Sequence, residues 1–329
     1  MPMWGEVMRK MIFGPIPSSR FGNFLGVNPM TPDIVGDKVC NLNCVYCEIG
    51  PSKTMPPASG DMPGHPADRV LAEVDGFLKS SHSRIDHIVL VSDGEVTLCG
   101  GLGEMISGLR RYKIPVAVIS NGARLGRPAI RDALAGADMV MLSLDTAEPD
   151  VYKKICRPLF PDMPSATELI EHYAAFGRMF GGELCLMTIL AAGLNDRPEH
   201  LQSLQKAINR IKPQTVRLST IGARPSASWA KAVSDKFLLE AAKALDRQVG
   251  AEVRAGYEAP SMPTTAAGFL TAIVDFVASR PATYLDIADA FELKARDLNQ
   301  YLDQLLTEGL IVRKEMPHGS YYTKNTDHK

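Results

Sequence analysis

The 329-residue sequence contains no apolar run of about eighteen residues, the length a helix needs to span a bilayer, so no membrane span is expected. Residues 1–10 have no apolar core of signal-peptide length. Six cysteines without such a leader point to a reducing compartment, and a cytoplasmic location is expected. An excess of charge is also missing. Lys plus Arg number 36 against 37 Asp plus Glu, a net charge of −1, so no global basic field draws in nucleic acid; a local basic patch stays open. There is no long internal repeat, and no low-complexity segment beyond the last few residues. His65, His82, His87 and His172 show no ligand spacing. The hydrophobic fraction, 45%, suffices for a real core, and the length accommodates one large domain and a small one.

The most informative stretch is KVCNLNCVYCEIG, residues 38–50. Cys40, Cys44 and Cys47 are spaced Cys-x3-Cys-x2-Cys. Thiolates this close on one loop can grip a single metal centre. A structural zinc normally has a fourth Cys or His nearby, and none follows closely here. An odd number of cysteines in the loop argues against disulfides. A zinc loop and three ordinary buried thiols remain the alternatives. In its spacing, and in the aromatic Tyr46 just before the third cysteine, the loop resembles that of the radical S-adenosylmethionine (SAM) enzymes. The resemblance implies a [4Fe-4S] cluster on Cys40, Cys44 and Cys47, with one iron left open to SAM. The reduced cluster would cleave SAM to methionine and a 5′-deoxyadenosyl radical, while the protein supplies placement and shielding.

The rest of the chain alternates. A short apolar run at 24–28 suits a first buried strand feeding the cysteine loop, and prolines and glycines break any helix between 11 and 32. The loop 51–66 is rich in Pro, Gly and Ser and reads as a surface loop over the site. Helices are expected at 66–79, 102–112, 128–135, 166–180, 198–211 and 231–249. Strands are expected at 87–91, 115–120, 138–144, 183–190 and 215–220, with an edge strand at 252–254. Apolar strands alternating with helices argue an α/β fold with a parallel sheet. Periodicity alone leaves an open doubly wound sheet as an alternative. The resemblance implies the partial (β/α)6 barrel of radical SAM enzymes.

A boundary is expected near Pro260, giving a radical SAM barrel over residues 1–260 and a winged-helix-like domain over 261–329. The second domain reads as helices at 266–278, 284–290 and 294–308, then a hairpin from 310–314 and 321–324. Its wing would present His318, Tyr321 and Tyr322 for stacking or peptide contact. The helix 294–308 mixes Lys294 and Arg296 with Asp297, Asp303 and Glu308, so specific duplex DNA binding is not expected.

Polar residues cluster at strand ends, where ligands bind in parallel α/β folds. SDGEVTL at 92–98 resembles the Gly-Gly-Glu-type motif that holds the SAM ammonium in radical SAM enzymes. Gly94 and Glu95 match it, and Asp93 replaces the first glycine; an acidic turn is the plain alternative. Asn121, Ser143 and Asp145 end the next two strands and suit ribose, carboxylate or substrate, or a mere turn or cap.

Four further stretches, GPIPSSRFGNFLGVN, SLDTAEPDVYKKICRPL, AAGLNDRPEHL and RLSTIGARPSA, resemble one subgroup. It holds the radical SAM enzymes that make the tRNA wyosine base, with their uncharacterised bacterial relatives. The resemblance spans roughly residues 11–255, and those relatives often add a winged helix. Wyosine synthases carry N-terminal cysteines for a second cluster and a lysine for pyruvate. Here Cys40 is the first cysteine, and the surroundings of Lys53 do not match. Cys156 and Cys99 could ligate a second cluster or give a hydrogen atom to a substrate radical, or simply be buried; Cys185 reads as core packing. Arg157 and Arg224 stand in Arg-Pro pairs after strands, with Arg20 in a turn before the first, and a guanidinium there suits an anionic substrate.

The leading expectation is an enzyme that uses the cluster and SAM to abstract hydrogen from a tRNA base or a peptide or protein. An electron donor such as flavodoxin or ferredoxin would serve it. The alternative is a non-enzymatic winged-helix regulator whose cluster senses oxygen or iron.

Overall fold

The computed structural model describes residues 11–18, 20–30, 38–52, 56, 61–81, 84–222, 225–246, 249–255, 265–279, 282, 284, 287–288, 291, 293, 295–316 and 319–325. Eight strands form one sheet: β1 (Ile12–Ser18), β2 (Gly22–Val27), β3 (His87–Leu90), β4 (Val116–Ser120), β5 (Met139–Ser143), β6 (Glu183–Leu190), β7 (Thr215–Thr220) and β8 (Glu252–Ala255). They stand in sequence order, β1 antiparallel to β2 and every later pair parallel. The helices between them are α1 (Ala67–Ser80), α2 (Leu102–Leu109), α3 (Pro128–Leu134), α4 (Pro149–Ile155), α5 (Ala166–Met179), α6 (Pro198–Ile211) and α7 (Asp235–Asp246).

A sequential order has no point at which the winding reverses, so this is not a doubly wound sheet. One sheet face packs on the helices: Ile88, Leu90, Val118, Val140, Leu142, Leu184 and Leu186 share a core with Val70, Met105, Leu134 and Phe176. The intervening residues Val89, Ala117, Met141 and Cys185 bury the opposite face with Phe21. Both faces being apolar explains strands that read as unbroken hydrophobic runs. Three helices begin on proline, at Pro128, Pro149 and Pro198, where the missing N–H has no intrahelical partner to lose.

Two elements differ from the sequence expectation. The stretch 12–18, rich in Pro and Gly, forms β1. An outer antiparallel strand tolerates proline because only one of its edges needs the ladder. Residues 149–155, read as loop, form α4, which buries Val151, Tyr152 and Ile155.

Toward the C-terminus, α8 (Ala266–Ser279), α9 (Ala295–Thr307) and the hairpin β9 (Ile311–Met316) and β10 (Gly319–Lys324) share a separate core. It contains Phe276, Phe291, Leu298, Leu302 and Leu305. Most of the expected helix at 284–290, and the turn carrying His318, lie outside the described residues. Tyr322 is not presented to solvent as expected; it is 8% exposed and pairs through its backbone with Ala282.

Candidate functional site

The loop after β2 carries Cys40, Cys44 and Cys47, and its neighbours hold it through the backbone. Val39 N donates to Asp93 O (2.9 Å) and Glu95 N to Val39 O (3.0 Å), joining it to the loop after β3. Asn43 N donates to Cys156 O (3.0 Å) and Val45 N to Ile155 O (2.9 Å), at the end of α4. Ala227 N donates to Val45 O (3.0 Å) and Ser226 Oγ to Cys44 O (3.0 Å), from beyond β7. Cys40 and Cys44 are buried and Cys47 is half-buried. Among the described residues no three His, Cys, Asp or Glu side chains converge as one bound ion requires. A cluster asks something different of its cysteines: each holds a separate iron corner.

Gly94 lies against this loop, and a Cβ there would collide with the Val39 carbonyl. Glu95 is 1% exposed, and its carboxylate is already occupied by the protein. Oε1 accepts from Thr97 N (3.0 Å), Thr97 Oγ1 (2.5 Å) and Ser120 Oγ (2.6 Å), and Oε2 accepts from Asn121 N (2.7 Å). Burial raises its pKa against these hydrogen bonds. Glu95 thereby clamps the β3 loop to the end of β4. Asn121 reaches the cysteine loop, its Nδ2 donating to Asn41 Oδ1 (2.7 Å) and lying 3.5 Å from Cys40 Sγ.

Asp145, at the end of β5, is 4% exposed. Its Oδ1 accepts from Ile189 N (2.9 Å) and its Oδ2 from the Tyr46 hydroxyl (2.7 Å). Tyr46 and Asp145 are thus brought together at the end of β5. The Ser143 carbonyl accepts from the Tyr173 hydroxyl (2.9 Å). Cys156 is 5% exposed, with its thiol 3.5 Å from Asp145 Oδ2. It also hydrogen-bonds Cys44, which lowers the Cys44 pKa and raises that of Cys156. The thiol is thus enclosed between Asp145 and Cys44. Cys99 makes other contacts, donating to Pro29 O (3.0 Å). Cys185 is buried on the helix-free sheet face.

The Arg157 Nε donates to Asn43 O (2.5 Å) and its NH2 to Ser226 Oγ (3.0 Å), so it braces the cysteine loop. Arg224 lies outside the described residues.

Three buried polar atoms around the loop have no hydrogen-bond partner among the described residues: Ser92 Oγ, Asp93 Oδ1 and the Tyr152 hydroxyl. Asp93 is 9% exposed, and burial raises its pKa to about 6. The sequence singles out Asp93 only as a departure from the motif and assigns no role to Ser92 or Tyr152. A cavity of about 630 Å3 opens beside the loop, lined in part by Asn41, Leu98, Arg124, Arg127, Phe160 and His172.

Residues 37–163 match the family model described as "Radical SAM superfamily". This stretch, which carries Cys40, Cys44, Cys47, Gly94 and Glu95, is thus similar to the radical SAM superfamily of enzymes. That superfamily uses a [4Fe-4S] cluster and SAM. Among curated relatives, a "GTPase Obg" of Brachyspira hyodysenteriae is 30% identical over 95% of this chain and 45% of its own length. A "UPF0026 protein" of Helicobacter pylori (strain J99) is 28% identical over 70% of this chain and 72% of its own. The chain therefore spans less than half of the first relative. Streptococcus suis SuiB bound to S-adenosylmethionine has a similar fold: TM-score 0.53 at 13% identity, over 71% of this chain and 53% of that one. None of these likenesses supports a non-enzymatic regulator.

Three thiols on one short loop suit an iron–sulfur cluster, and orphaned buried polar atoms beside them suit a ligand. The residues present fit both cofactors.

Proposed function

We propose that this chain holds a [4Fe-4S] cluster on Cys40, Cys44 and Cys47 and binds SAM against it, using the pair to open a C–H bond of its substrate. When bound, cluster and SAM together supply a 5′-deoxyadenosyl radical. The chain's own residues do the holding. Gly94 lets the β3 loop close onto Val39, and Asn121 steadies the cysteine loop through Asn41. Asp145 and Tyr46 fix the wall between β5 and the loop.

The observation that carries the SAM site is Asp93. A buried carboxylate oxygen without a protein partner needs a donor, and the SAM ammonium is a charged one. Asp93, with Ser92, takes the role that the motif assigned to Glu95. Titrating SAM into cluster-loaded protein tests this. Asp93→Asn should weaken binding tens-fold, matching a charge-assisted hydrogen bond of about 1.5–3 kcal/mol; unchanged affinity would remove Asp93 from the site.

The substrate proposed is a tRNA base, with a peptide or protein as the second candidate. The cavity beside the loop favours the base: Phe160 offers a flat apolar surface, and Arg127, half exposed beside Asp61, can meet a phosphate. SuiB has also been seen with its precursor peptide SuiA, which keeps the second candidate in view. The inner domain is read as a partial (β/α)6 barrel over residues 1–260. Residues 261–329 are read as a winged-helix module that docks substrate or a partner, and specific duplex DNA binding is not expected of it. Flavodoxin or ferredoxin is the proposed electron donor, in a cytoplasmic setting. Anaerobic turnover with the cell's small RNAs against its peptides, read by mass spectrometry, separates the two substrate classes.

A further inference from the structure

Helix α4 is fixed to the cysteine loop more firmly than any contact of its exposed face requires. Its last residue and the next accept Val45 N (2.9 Å) and Asn43 N (3.0 Å), and Arg157 grips Asn43 O. A side chain on the buried face of α4 therefore holds a set position relative to Cys44. Tyr152 is such a side chain, 5% exposed, and its hydroxyl has no partner among the described residues. Its neighbour Tyr173 is fully buried too, yet donates to Asn121 O (2.6 Å) and Ser143 O (2.9 Å). An unpaired buried hydroxyl costs about 1–3 kcal/mol, so one kept beside a ligand site points to a missing acceptor.

The surroundings identify that acceptor. Tyr152 lies one helical turn before Cys156, on the same face of α4, with Cys156 N donating to Tyr152 O (2.8 Å), and burial raises its pKa so that the hydroxyl stays protonated. The nearest alternative, Asp145, already accepts from Tyr46, Ile189 and Cys156. Cys156 itself bonds Cys44.

We propose that Tyr152 donates a hydrogen bond to the sulfur of the cluster on Cys40, Cys44 and Cys47, and so raises its reduction potential. This rests on the cluster assignment above. A neutral donor aimed at sulfur stabilises the reduced cluster more than the oxidised one, because the reduced form carries one more negative charge. Burial in a low-dielectric setting strengthens the effect. The electron comes from an external one-electron donor, and Tyr152 keeps its proton throughout.

The test uses full-length, anaerobically reconstituted protein without SAM. Iron is counted, and the reduced cluster is followed by electron paramagnetic resonance during a dithionite redox titration. Tyr152→Phe should keep its iron but titrate at a more negative potential. At fixed solution potential the ratio of reduced to oxidised cluster should fall roughly fivefold, as loss of one hydrogen bond implies. The cluster-free Tyr152→Phe chain should lose no stability, since the hydroxyl has no protein partner. Tyr173→Phe should lose stability and leave the potential in place. An unchanged potential in iron-replete Tyr152→Phe overturns this inference alone. Failure of the wild-type chain to take up iron overturns the cluster assignment and this inference together.

Discussion

The Tyr46 hydroxyl donates to Asp145 Oδ2 at 2.7 Å, across 99 residues of sequence. This bond ties the cysteine loop to the end of β5, and Ile189 N ties the same carboxylate to β6. Tyr46→Phe leaves a buried carboxylate short of a donor and should cost roughly 1–3 kcal/mol. The midpoint of urea unfolding checks this on the cluster-free chain. No change in midpoint would mean that the bond is not made in solution.

Glu95 accepts four hydrogen bonds from Thr97, Ser120 and Asn121. Glu95→Ala strands those buried donors and should destabilise the chain by ~2–5 kcal/mol. Stability should fall even without cluster or SAM. A variant of wild-type stability that binds SAM poorly would instead return Glu95 to the ammonium site.

Asp93 should give the chain a pH signature. Burial holds its pKa at about 6 in the folded chain, above the ordinary value near 4. Between those values the folded state binds more proton than the unfolded state, so stability falls as pH rises from about 4 to about 6 and levels off above. Asp93→Asn should remove that component. Urea midpoints of both cluster-free chains across this window check it; parallel curves would contradict it.

Much of this was legible in the sequence. The strands at 183–190 and 215–220 and the helix at 198–211 fall where apolar periodicity places them. The signal of 183–190 is its leucines Leu184, Leu186 and Leu190, and that of 215–220 is the alternation of Val216 and Leu218 with Arg217 and Ser219. β1 was hidden because Gly14, Pro15 and Pro17 read as breakers, and only its pairing with β2 shows an edge that tolerates them. At the site, spacing exposed the three cysteines, since their loop is local. The roles of Glu95, Arg157 and Cys156 were not legible. Each is set by partners that are distant in sequence, such as Ser120 for Glu95 and Ser226 for Arg157. Which buried oxygen is left without a donor, Asp93 rather than Glu95, emerges only when every hydrogen bond is assigned.

Iron content follows from the loop. Anaerobically reconstituted wild-type protein should hold about four irons per chain, and changing Cys40, Cys44 and Cys47 together to Ala should abolish them. Stoichiometric zinc without iron uptake would contradict the cluster. Retention of iron by the triple variant would place it elsewhere.

The most direct test of the whole account is the fate of SAM. Cluster-loaded protein incubated anaerobically with SAM and dithionite should release 5′-deoxyadenosine, read by chromatography and mass spectrometry. The Cys40/Cys44/Cys47 triple Ala variant should release none. A wild-type chain that holds four irons and binds SAM, yet forms no 5′-deoxyadenosine above the triple variant, would contradict the account.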